Sequence, residues 1–84
     1  MTDKQTFKVS RNTHPNKLAA AIIGATEQDE VDCLAIGEQA LDNLAYALCI
    51  ADNVLGGKIS CRFAFSDSEK TNKLKVKVSV KRGG

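Results

Sequence analysis

Apolar and polar positions alternate most clearly near the C-terminus. Leu74, Val76, Val78 and Val80 alternate with Lys73, Lys75, Lys77, Ser79 and Lys81. A period of two places the two sets on opposite faces of a strand, here one apolar and one basic. Ile59, Cys61, Phe63 and Phe65 alternate in the same way with Lys58, Ser60, Arg62, Ala64 and Ser66. The polar stretch from Asp67 to Asn72 predicts a turn, so the two strands form a hairpin. Near the N-terminus, Phe7 and Val9 alternate with Thr6, Lys8 and Ser10, which predicts a short first strand.

His14–Pro15–Asn16 opens a helix, because proline suits the first helical position, where its missing N–H has no partner to lose. Leu18, Ile22 and Ala25 follow at helical spacing. Val31 to Ile36 reads as the second strand, an interior one interrupted only by Asp32. Gly37 turns the chain, and a second helix is predicted from about Glu38 to Val54. This helix carries two apolar stripes, Leu41, Leu44, Ala45 and Leu48, and Ala40, Ala47, Ala51 and Val54. A helix apolar around so much of its circumference calls for burial on more than one side. In so short a chain we expect a second subunit to supply it, with Leu41, Leu44, Ala47, Leu48 and Ala51 at the dimer interface.

The predicted order is βαβαββ. A crossover of this kind makes the first two strands parallel with a helix on one face. The expected fold is an α/β two-layer sandwich, two helices on one face of a four-stranded mixed sheet, in a single domain over residues 1–84. The open face would carry Lys8, Arg62, Lys75 and Lys77.

Charge sharpens this picture. The net charge is only +2, but residues 1–56 hold four basic and eight acidic side chains, whereas residues 57–84 hold eight basic and two acidic. Such asymmetry points to a polyanionic partner. The alternative is a solvated strand face whose lysines deter edge pairing. The apolar run Leu18 to Ile23 is too short to span a bilayer, and Met1 to Lys8 is polar, so a cytoplasmic protein without membrane contact is expected. Cys33, Cys49 and Cys61 form no CxxC pair and lie in apolar stretches, which reads as buried, reduced thiols. The lone histidine, His14, has no cysteine near it in sequence, so neither a metal nor a cofactor is expected. It also lacks a partner for acid–base work, and Gly37 alone is no phosphate-binding loop, which argues against an enzyme.

Several stretches carry a family resemblance. Lys8–Val9–Ser10 followed by Pro15–Asn16–x–Leu18–Ala19, then Ala35–Ile36–Gly37–x–x–Ala40–Leu41, Ala47–Leu48–x–Ile50–Ala51 and Ala64–Phe65–x–Asp67, resemble the stage V sporulation protein S family. That family is similar in fold to Alba, the archaeal chromatin protein, and to the C-terminal domain of translation initiation factor three. The resemblance implies a dimer, or a higher homo-oligomer, that binds RNA or DNA without catalysis. It implies contacts from a basic loop after the first strand, from the loop into the second helix and from the hairpin.

Carried over by position, the first loop is Arg11–Asn12–Thr13–His14, followed by Lys17. Arg11 and Lys17 would supply charge, and Asn12 and Thr13 would donate hydrogen bonds to phosphate. The helix N-terminus beside them favours anions. The second loop departs from Alba, with Glu38, Gln39, Asp42 and Asn43 where Alba is basic, and would repel phosphate. Lys70 and Lys73 keep positive charge at the hairpin turn. No aromatic is expected on the open sheet face, so binding would rest on phosphate contacts rather than base stacking. An assembly module with no nucleic-acid binding is the alternative function. The terminal Arg82–Gly83–Gly84 raises a third, a conjugated tag, although βαβαββ is not the ubiquitin order.

Overall fold

The computed structural model describes residues 5–68 and 73–83, with backbone alone at 66–68 and 73. Its elements are β1 (Thr6–Val9), α1 (Pro15–Ala25), β2 (Val31–Ile36), α2 (Glu38–Val54), β3 (Ile59–Ser68) and β4 (Lys73–Arg82). The sheet order is β1-β2-β4-β3. β1 and β2 run parallel, whereas β4 is antiparallel to both of its neighbours. The βαβαββ two-layer sandwich expected from the sequence is therefore the observed architecture. The last strand inserts between β2 and β3, so β3 is left at an edge.

Helix α1 begins as its sequence dictates. His14 is the N-cap by position, in extended conformation, and Pro15 is the first helical residue. His14 makes no side-chain capping bond; its carbonyl accepts from Leu18 N–H at 3.0 Å. At the other end the Thr26 hydroxyl donates to the Ile22 carbonyl at 2.7 Å. Arg82, at the end of β4, reaches the same turn. Its Nη2 donates to the Ile23 carbonyl at 2.6 Å, and its guanidinium lies 3.7 Å from Glu27. A cation on the last carbonyls of a helix satisfies orphan acceptors and complements the dipole. Gly83 N–H donates to the Lys58 carbonyl at 3.0 Å. This bond ties Gly83 to the start of β3.

Helix α2 begins at Gly37, whose φ of 95° and ψ of 163° lie in a region essentially confined to glycine. Its N–H donates to the Leu74 carbonyl at 3.0 Å, fixing the end of β2 to β4. Gly37→Ala is expected to cost about 1–3 kcal/mol, the usual strain of a side chain in this region, measurable as a lowered urea midpoint.

The core corrects the expectation for α2. Leu44, Ala47 and Ala51 are fully buried within one protomer, and Leu48 nearly so. Together with Ala40 they form one arc of about 100° at 100° per residue, spanning parts of both predicted stripes. The second side of burial comes from α1, which packs along α2, while α2 also covers β1, β2 and β4. The alanines let both approach closely. Leu44, Ala47, Leu48 and Ala51 therefore have no surface left for a partner; of the five predicted interface residues only Leu41 is partly exposed.

Candidate nucleic-acid interface

The helices cover one face of the sheet and leave the other open. Strand register defines rows across that open face: Thr6–Asp32–Ser79–Arg62, then Lys8–Leu34–Lys77–Ala64, with Ile36 opposite Lys75 beyond. Lys8 and Lys77 stand two strands apart, about 10 Å. Among the described side chains of the strands, this face carries five cations (Lys8, Arg62, Lys75, Lys77 and Lys81) and one carboxylate, Asp32. Lys8, Arg62, Lys77 and Lys81 are exposed and Lys75 is half-buried.

Asp32 offsets only one of the five cations of the face. Ser79 Oγ donates to its Oδ1 at 2.8 Å, and Lys77 Nζ lies 3.7 Å from its Oδ2. The carboxylate is largely buried, whereas the Lys77 side chain is 56% exposed. With its own side chain more than half exposed, Lys77 is held over the face by this contact. β2 is interior in the sheet but not buried on both sides: Leu34 and Ile36 add an apolar strip between the cations.

Two depressions adjoin across Leu34. The smaller, of about 380 Å³, is lined by Thr6, Asp32, Leu34, Ala64, Phe65, Lys75 and Lys77. The larger, of about 980 Å³, lies where the parallel strands β1 and β2 end. Lys8 and Arg11 flank it, Ile36 and Leu41 line it, and the first turn of α2 from Glu38 to Ala40 borders it. The crevice beyond the carboxyl ends of parallel strands is a recurrent ligand position in open sheets. Glu38 lines this cavity together with Lys8 and Arg11, as the expectation of an acidic second loop implies.

The β1–α1 loop is built by its own hydroxyls. Ser10 N–H donates to Thr13 Oγ1 at 2.8 Å, and Asn12 N–H donates to Ser10 Oγ at 3.1 Å. Thr13 is thus committed to shaping the loop, while Arg11 and Asn12 are exposed on it. Asn43, which the sequence offered only as an unfavourable polar residue of α2, is a clamp. Its Nδ2 donates to the carbonyls of Ser10 at 3.0 Å and Arg11 at 3.1 Å, pinning the basic loop to the helix. No sequence signal ties a helix amide to carbonyls 32 and 33 positions earlier. Lys17 is exposed on α1, in the helical layer rather than on the open strand face. Lys70 lies outside the described residues, and so does the side chain of Lys73.

A family model for stage V sporulation protein S matches residues 5–81, from β1 into β4. The chain belongs to the stage V sporulation protein S family. Within this family member, the matched segment includes both depressions and the Asn43 clamp. No curated protein sequence matches the chain closely. No helix among the described residues is long and apolar enough to cross a membrane.

The cysteines divide. Cys33 is buried in the core, but Cys49 and Cys61 are exposed, contrary to the expectation of three buried thiols. Burial, then the neighbouring Cys61 and Asp32, push the Cys33 thiol up to about 12. Burial and then Asp52 also raise Cys61. Maleimide at neutral pH should label Cys49 fastest, Cys61 more slowly and Cys33 only on unfolding, as read by peptide mass. The raised Cys33 value has a further consequence. Between 9.0 and about 12 the unfolded thiol ionises while the folded one stays protonated. The native state then binds more protons, so its stability falls as pH rises through that window.

Proposed function

We propose that the protein is a non-enzymatic, phosphate-driven nucleic-acid-binding protein that acts as a dimer. The observation that carries this reading is the open sheet face, where five cations outnumber one carboxylate, Asp32, and continue to Arg11 on the clamped loop. Such a face attracts polyanions and releases their counterions on binding. By register, no aromatic side chain of the described strand residues belongs to it, although Phe65 borders the smaller depression; Phe63 and Phe65 share the parity of the core residues Val78 and Val76. Base stacking on the sheet is therefore absent from the mechanism, and contacts to phosphate set register without reading sequence. RNA and DNA share this chemistry, so both are candidate ligands.

The binding surface has two parts. Lys75 and Lys77 follow the backbone along β4, with Arg62 beside them on β3. Lys8 and Arg11 hold a second phosphate region at the mouth of the larger depression, whose α2 side carries Glu38. The resemblance to Alba supports a contact from the β1–α1 loop that carries Arg11. The cytoplasm is the compartment in which such ligands occur.

Fluorescence anisotropy tests the reading with labelled single- and double-stranded RNA and DNA, at low and near-physiological salt. Micromolar or tighter binding to several unrelated sequences is expected. Absence of binding by folded, dimeric protein would favour the assembly module instead.

A further inference from the structure

We infer that β3 is the dimer seam, pairing antiparallel with β3 of a second copy to make one continuous eight-stranded sheet. This rests on the dimer in the proposed function and specifies how that dimer is built.

The two edges of the sheet are unequal. β1 is four residues long and carries Lys8. β3 is ten residues long, pairs with β4 without a break from Ile59 to Ser68, and has neither proline nor bulge. Soluble proteins protect such an edge with lysines, prolines or bulges. Here the lysines lie on interior β4, and Arg62 is the only cation in the edge strand. The unprotected edge also bears the exposed aromatics. Phe63 is 49% and Phe65 64% exposed, and their rings stack at 6.2 Å. They lie on the helix-side face, but α2 covers β1, β2 and β4, leaving them open.

Symmetry restricts the register. A two-fold axis normal to the sheet preserves its faces, so paired positions must have the same parity. Centring on Arg62 would oppose the two guanidiniums, and centring on Phe63 leaves Phe65 opposite Cys61. Centring on Ala64 places Phe63 against the partner's Phe65 twice, joining four rings. It also places each Arg62 opposite position 66, about 13 Å along the strand from its own copy. This register uses residues 60–68, a strip about 30 Å by about 15 Å, on the order of 1,000 Å² over both copies, the lower bound for a specific interface. It brings the two open faces into one plane and doubles the basic surface.

Two variants test the seam. Sedimentation velocity should show a dimer for the wild type and on the order of 100-fold weaker dimerisation for Phe65→Lys, with an unchanged circular dichroism spectrum because the ring is exposed. In a Cys49→Ser, Cys61→Ser background, Ala64→Cys should form an intersubunit disulfide under mild oxidation, since paired strand positions have Cα atoms about 4.5–5.5 Å apart. Tyr46→Cys, on the exposed side of α2, should not. A dimer that withstands Phe65→Lys and does not cross-link at position 64 would overturn the seam and leave the dimer standing. A wild-type monomer would overturn both, independently of nucleic-acid binding.

Discussion

Replacing Lys8 and Lys75 together by glutamate is expected to weaken nucleic-acid binding by about 100-fold at low salt and to reduce the slope of log affinity against log salt by about 2. These two cations occupy the two depressions that adjoin across Leu34. Each contributes a phosphate contact, and reversal adds repulsion where attraction stood. Lys77 is left unchanged because it lies over Asp32, and its reversal would disturb the carboxylate as well as the ligand. The loss should be uniform across sequences, since phosphate contacts do not read bases. A loss confined to one sequence would show that base edges are read instead. Side-by-side anisotropy titrations on two unrelated oligonucleotides make the distinction.

The second large effect is on folding. Leu44→Ala is expected to cost about 2–5 kcal/mol, the range for a buried leucine truncated in a packed core. A chain of this length has a total stability of about 4–13 kcal/mol, so the variant loses a large part of it. The cost should appear as a lowered denaturant midpoint that is insensitive to changes in the dimer population. This follows from Leu44 being fully buried within the protomer. A variant with wild-type thermal stability but impaired dimerisation would return α2 to the interface.

The architecture was legible because its signals are local. The period-two runs of the hairpin, Pro15 at the start of α1 and Gly37 at the start of α2 each follow from backbone geometry within a few residues. Strand order is not local. Nothing in the alternation of Ile59, Cys61, Phe63 and Phe65 says whether helices cover that strand, so its aromatics looked like core and proved to be at an open edge. The same limit explains α2. Its broad apolar arc correctly signalled burial on more than one side, but the periodicity of one helix cannot name the neighbour, and α1 fills that role.

The candidate site was legible in its charge and not in its fine structure. Lys8, Arg62, Lys75 and Lys77 share a face because of their parity, which the sequence displays. Arg11 belongs with them only because Asn43 holds the loop, and that bond spans the protein. Thr13 has the residue type of a phosphate donor, but in the fold its hydroxyl accepts from Ser10 N–H and shapes the loop.

The measurement that tests the central claim most directly is the salt dependence of affinity, taken by anisotropy from 50 to 200 mM salt on the folded protein. The account predicts measurable binding at the lower salt and a steep negative slope in log affinity against log salt, of magnitude several, for RNA and DNA alike. No binding at the lower salt, or an affinity that does not change with salt, would contradict it.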